Sequence, residues 1–111
     1  MTTLSAWCRG KRIELPVADV TRFVSGDKYV TAHHASGETI LSIPLARLAE
    51  DHPEFIRVHR GMLVRRSCLL GIQKNPNDNW EALVTFQDQP VPVGPTHHAE
   101  VSAWLNQRGA A

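Results

Sequence analysis

The densest chemistry in the chain lies between Phe55 and Arg66, which reads Phe-Ile-Arg-Val-His-Arg-Gly-Met-Leu-Val-Arg-Arg. Four guanidiniums (Arg57, Arg60, Arg65, Arg66) and one imidazole (His59) alternate with apolar residues, and no acid stands among them. A guanidinium is planar, permanently charged, and matched in shape to a phosphate or a guanine edge. Alternation over the first half places Phe55, Arg57 and His59 on one face of a strand and Ile56, Val58 and Arg60 on the other. Gly61 permits a turn before the apolar triplet Met62-Leu63-Val64. Apolar anchors that present arginines at a bend suit a phosphate-gripping loop. A half-buried strand with merely solvated arginines is the other reading that this stretch allows.

Charge is unevenly spread along a chain whose formal net charge is only +1. Between Arg57 and Lys74 there are five basic residues and no acid, whereas Gln87 to Gln107 holds two acids and neither Lys nor Arg. A local basic patch can bind a polyanion even when the whole molecule is nearly neutral.

Other chemistry is poorly represented. The six histidines include the adjacent pairs His33-His34 and His97-His98, which lack the spacing of dedicated metal ligands, so no metal or cofactor is expected. His52 beside Asp51, with Ser36, Ser42 or Ser67 elsewhere, makes no recognisable catalytic set, and no glycine-rich phosphate loop or small-molecule site is evident. The chain is therefore expected not to be an enzyme. Cys8 and Cys68 fit no metal spacing and are expected as reduced thiols. The opening residues lack a basic start and an apolar signal core, and no apolar run reaches the roughly 18 residues of a membrane span, so a cytoplasmic protein without membrane contact is expected.

The 111 residues suffice for a single domain, 1–111, with its core over about 5–107. Ser5–Arg9 and Lys11–Leu15 form a hairpin about Gly10, with Ile13 and Leu15 on its buried face. Val20 and Phe23-Val24 follow, then a turn at Ser25-Gly26-Asp27. Lys28–His34 and Thr39–Ser42 are strands joined through Ala35-Ser36-Gly37-Glu38, with Lys28 and Tyr29 at the mouth of the hairpin. Pro44 opens a short helix with Leu45, Leu48 and Ala49 on its apolar side, and Asp51-His52-Pro53 stops it. Cys68–Gln73 and Trp80–Phe86 are strands around the turn cluster Asn75–Asn79, and Val91 and Val93 form an edge strand between prolines. Thr96–Gln107 is a closing helix with Val101, Trp104 and Leu105 buried, Gly94 as its cap and Pro95 as its first residue. About nine strands and two helices predict a mainly β domain. Its core is expected from Phe55, Ile56 or Val58, Leu63, Val84, Phe86, Val101 and Leu105.

In that order the features resemble the LytTR DNA-binding domain, the output module of bacterial response regulators of two-component systems related to the alginate, agr and autolysin regulators. The strongest match is Phe55 to Arg65, against a family pattern of Phe-Ile-Arg-Ile-His-Arg-Ser-Tyr-Leu-Val-Asn. Asp19 to Val24 with Lys28-Tyr29-Val30, Ile43 to Leu48, and Gln89 to Gly94 match in sequence order, so the likeness covers about residues 5–107. It implies an elongated stack of small antiparallel β-sheets with one short internal helix and a C-terminal helix.

The resemblance also implies sequence-specific binding of double-stranded DNA in transcription regulation, with loops inserted into major grooves of promoter direct repeats and a second copy alongside. Three places would touch DNA: Lys28-Tyr29, the segment Arg57-His59-Arg60, and the start of the last helix at Thr96 and His97. Arg65, Arg66 and Lys74 would add phosphate contacts. The chain departs from the family at that third place, where Gly94-Pro95-Thr96-His97 stands in place of a serine and two arginines. A protein-interaction or oligomerisation module of the same fold that has lost DNA is the alternative, with Trp7, Trp80 and Trp104 as its apolar surface. A receiver domain would need roughly another domain's worth of residues, so the chain reads as a free-standing regulator or an output domain.

Overall fold

The structure is a computed structural model that describes residues 3–8, 10–35 and 37–109. Expectations that fall on Arg9, Ser36, the side chains of Trp7 and Cys8, and the end at Ala110-Ala111 lie outside the described residues. In chain order the elements are β1 (Thr3–Cys8), β2 (Lys11–Pro16), β3 (Val20–Ser25), β4 (Val30–His34), β5 (Gly37–Leu41), α1 (Leu45–Asp51), β6 (Phe55–His59), β7 (Met62–Arg65), β8 (Leu69–Lys74), β9 (Trp80–Val84), β10 (Val91–Pro92) and α2 (His98–Gly109). They build three antiparallel sheets: β1-β2, β5-β4-β3-β7-β6, and β10-β9-β8. The molecule is elongated, at 45 × 32 × 25 Å.

Local chemistry accounts for most boundaries. Pro44, at φ −60°, sits just before α1, and His52 ends it ahead of Pro53. Asn75 Oδ1 accepts the N–H groups of Asn77 and Asn79, at 2.9 and 3.0 Å, and so builds the β8–β9 turn within which Asp78 takes φ +66°. Pro92 stands on an edge strand, where its missing N–H costs no ladder bond.

The central hairpin of β6 and β7 is buried on both faces. Phe55 and Leu63 face a core with Val20, Phe23, Leu41, Leu45 and Leu48. Ile56, Val58 and Val64 face a second core with Leu69, Ala82, Val84, Val91 and Val101. The apolar positions of the hairpin are thus buried on both faces, while Arg57, His59, Met62 and Arg65 are half-buried. All the residues expected in the core lie in these two layers, Phe86 and Leu105 at the periphery of the second.

Several boundaries differ from expectation. Among the described residues there are ten strands where about nine were expected. The strand expected from Lys28 begins at Val30, because Gly26 N–H closes on the Tyr29 carbonyl at 2.8 Å and keeps Lys28 and Tyr29 in the turn. β9 stops at Val84 and β10 at Pro92, short of Phe86 and Val93. The last helix starts at His98, since His97 and His98 N–H both reach back to Gly94 O and wind Pro95, Thr96 and His97 into a preceding turn. Ile13 is 36% exposed. Its hairpin is a separate two-stranded sheet.

Because neighbouring residues of β7 serve different cores, Leu63→Ala and Val64→Ala should each be costly. Urea unfolding should show losses of about 2–5 kcal/mol for Leu63→Ala and about 1–3 for Val64→Ala. A loss within about 0.5 kcal/mol at either would place that face in solvent.

Candidate nucleic-acid interface

Strand pairing brings the basic residues together. β3 runs antiparallel to β7, with Phe23 opposite Leu63 and Val24 opposite Met62, so the end of β3 lies beside the start of β7. Ser25 N–H donates to Gly61 O at 2.8 Å and ties the loop 26–29 to the β6–β7 turn. Between them opens a cleft of about 340 Å³ lined by Lys28, Tyr29, Arg57 and Arg60, together with Asp27, Ile43, Pro44 and Leu45. Lys28 and Arg60 are exposed, and Tyr29 is 54% exposed.

Arg57 and Arg60 share this cleft although strict alternation puts them on opposite faces. A bulge explains it: Arg57 pairs with Leu63 and His59 with Met62, leaving Val58 unmatched. The extra residue and the turn after it re-aim the chain. Arg57 Nη2 donates to Arg60 O at 2.7 Å, which fixes the bend that carries Arg60. Arg57 Nε is buried without a hydrogen-bond partner.

His59 faces another neighbour. Gly94 N–H donates to Val58 O at 2.8 Å and seats the 94–97 turn against the end of β6. A methyl group on Gly94 would lie 3.2 Å from His97 Cδ2 and 3.4 Å from His59 Cβ, so both imidazoles flank this glycine. His59 Nδ1 accepts Gly61 N–H at 3.0 Å. Burial, then His97 and Arg57, holds the His59 imidazole below its ordinary pKa. Thr96, on the same turn, is exposed.

Three of the basic residues singled out in the sequence have internal work. Arg65 donates Nε to Val20 O at 2.8 Å and Nη2 to Val17 O, and its guanidinium lies over the Phe55 ring. Arg66 donates Nε to Pro53 O at 2.8 Å and lies over Trp104, whose indole N–H returns to Arg66 O. Lys74 pairs with Asp78 at 3.1 Å and lies over Trp80. Sequence could not separate Arg65 and Arg66 from the cleft arginines, because what divides them is backbone carbonyls supplied by remote segments; Lys74 is exposed and its partner Asp78 is four residues on.

Arg22 was not singled out, yet it lies 4.3 Å over the Phe86 ring, and burial lowers its pKa despite the opposing field of Glu38. His33 meets Glu38 at 3.5 Å and His34 meets Thr39 Oγ1 at 2.8 Å, on opposite faces as alternation requires. Cys68 is a free, buried thiol. Among the described residues, no helix is long and apolar enough to cross a membrane.

Residues 10–106 match the LytTr DNA-binding domain family. The positive alginate biosynthesis regulatory protein of Pseudomonas aeruginosa is 35% identical over 100 residues, covering 87% of this chain and 40% of that protein. The chain thus spans about two fifths of the length of that curated relative. Among solved structures, the LytTr DNA-binding domain of a response regulator from Bacillus cereus superposes with a TM-score of 0.76 at 16% identity, over 95% of this chain and 97% of that one.

Two outcomes follow from the geometry. Arg65→Ala, which strands two backbone carbonyls, should lower stability by about 2–4 kcal/mol, and Arg60→Ala should change it by less than about 0.5. Equal effects in urea unfolding would erase the division between internal and cleft arginines. The second concerns pH. The folded-state pKa values of His59 and His33 are both depressed, each mainly by burial, so their contribution to stability is present above the unfolded value near 6.5. It is lost as pH falls through the folded values. The urea midpoint should therefore drop on acidification below about pH 6.5, and less steeply in His59→Gln.

Proposed function

Because the chain belongs to the LytTR family of DNA-binding domains, we propose that it binds double-stranded DNA through the sheet end where loop 26–29, the Arg57–Arg60 bend and the 94–97 turn meet. One observation supports this most: Lys28, Tyr29, Arg57 and Arg60 line one open cleft, with Asp27 the sole carboxylate among its lining residues. Separate loops at one end of a sheet can reach one duplex together. The Pseudomonas aeruginosa relative is named a positive regulatory protein of alginate biosynthesis, and a regulatory role in transcription for the whole protein belongs to the same reading.

Contacts divide by chemistry. Lys28 and Arg57 neutralise phosphates, which sets the position of the domain on DNA without reading sequence. Arg60 is exposed at the tip of the bend and reads a base edge in the major groove. His59, Thr96 and His97 supply hydrogen bonds from the adjoining turn. Arg65, Arg66 and Lys74 stay engaged within the fold and take little part in binding. Direct repeats in a promoter would seat two copies side by side. Expression in the cytoplasm, where such DNA lies, belongs to the same reading.

Fluorescence anisotropy on a promoter repeat and a scrambled duplex, each at several salt concentrations, tests the proposal. Two phosphate contacts, by Lys28 and Arg57, give a log–log salt slope of about −1.8. Arg60→Ala should cost about 1–3 kcal/mol on the repeat and less on the scrambled duplex. Arg66→Ala should leave the slope unchanged once folding is verified. Absence of binding to either duplex at low salt would favour an interaction module of this fold.

A further inference from the structure

Loop 26–29 has two sides. One faces the basic cleft; on the other, Asp27, Lys28, Tyr29, Thr31 and Ile40 line a separate open hollow of about 370 Å³. We infer that this hollow reads thymine: Ile40 and the Tyr29 ring pack on the 5-methyl group of a thymine at the base edges of the major groove. The inference rests on the DNA-binding reading above and adds Ile40 to it as a specificity-determining residue.

Register puts Ile40 beside the loop. β4 runs antiparallel to β5, with Val30 opposite Leu41 and Thr31 opposite Ile40. The end of β5 therefore lies level with the start of β4, where loop 26–29 enters the sheet. Val30, Ala32 and Leu41 are buried on the inner face, so alternation leaves Thr31 and Ile40 on the outer one. Ile40 is 55% exposed and Tyr29 54%. Single exposed apolar side chains are ordinary, but these two converge on one hollow at the edge of the cleft. Ser25 N–H on Gly61 O and Gly26 N–H on Tyr29 O, each at 2.8 Å, hold the loop, so Tyr29 is presented from a fixed turn.

Charge selects the occupant. The cleft sets Lys28, Arg57 and Arg60 against Asp27, an excess of positive charge that suits phosphate. The hollow sets Lys28 against Asp27 and is balanced, which suits a neutral and partly apolar group. A thymine edge is such a group, with a methyl for Ile40 and Tyr29 and an O4 acceptor for the Thr31 hydroxyl or the Lys28 ammonium. Size points the same way. A stable protein interface buries roughly 800 Å² on each partner, far more than two side chains supply, whereas one methyl group needs no more. Residues 26–29 border both spaces. When a phosphate occupies the cleft, the other side of the loop therefore lies against the adjoining groove.

The test replaces each thymine of a promoter repeat in turn by deoxyuridine, which removes only the 5-methyl group. Affinity is measured by fluorescence anisotropy for wild type, Ile40→Ala and Ile40→Thr, the last keeping a branched Cβ suited to a strand. At one thymine or more, wild type should bind about two- to fourfold more weakly, the worth of one buried methyl group. Ile40→Ala should bind the unmodified repeat more weakly by a similar factor and be insensitive to that same replacement. Ile40→Thr should fall between the two. Wild-type affinity unchanged at every deoxyuridine, or the full wild-type loss retained in both variants, overturns the inference while leaving DNA binding intact. So does an Ile40→Ala effect confined to the cooperative filling of two repeats, since a second copy would then cover the hollow. Absence of binding to the unmodified repeat overturns both.

Discussion

The antiparallel pairing of β3 with β7 is the constraint from which the rest of the molecule follows. It joins a strand from the first third of the chain to one from the middle, and it closes with Ser25 N–H on Gly61 O. Three consequences issue from that one register. Phe23 comes opposite Leu63 and, with its ring 4.9 Å from that of Phe55, builds the centre of the first core. Val64 is turned to the second core, so one hairpin ties both layers together. The loop after β3 and the turn before β7 are brought to the same end of the sheet, and the cleft between them is where the free cations gather.

Burial then sorts the arginines. A guanidinium with backbone carbonyls in reach is held by charge-assisted hydrogen bonds of about 1.5–3 kcal/mol each and is part of the framework. Arg65 does this between the end of β7 and the residues entering β3, and Arg66 does it at Pro53 and Trp104. Arg57 is intermediate: one Nη2 bond shapes the bend, while Nε is buried without a partner. Such an unsatisfied donor carries a penalty of about 1–3 kcal/mol, a cost concentrated at the proposed binding cleft. Arg60, exposed, is left to meet a ligand.

The second junction, Gly94 N–H on Val58 O, does for the last third of the chain what Ser25–Gly61 does for the first. It needs the backbone of the 94–97 turn to approach the end of β6 closely, and a side chain at Gly94 would crowd His59 and His97. Two imidazoles, those of His59 and His97, flank the glycine at this corner.

The sequence by itself determined the class of fold and the identity of the chemistry. Alternation, proline positions and turn residues are local properties, and they placed most strands and both helices within two or three residues. The order of Phe55 to Arg65, Lys28-Tyr29 and Gln89 to Gly94 carried the family. The errors were those that local rules make when a longer-range hydrogen bond competes. Gly26 N–H closing on Tyr29 O delayed β4, and Gly94 O accepting two N–H groups delayed α2. The bulge at Val58 broke an alternation that the letters alone display as regular. Only the tertiary structure decided which arginines are free. Arg57, Arg60, Arg65 and Arg66 are alike as residues and close in sequence, but the carbonyls of Val17, Val20 and Pro53 come from elsewhere in the chain. A side chain's hydrogen-bond partners are set by register between distant strands, and register is not a local property.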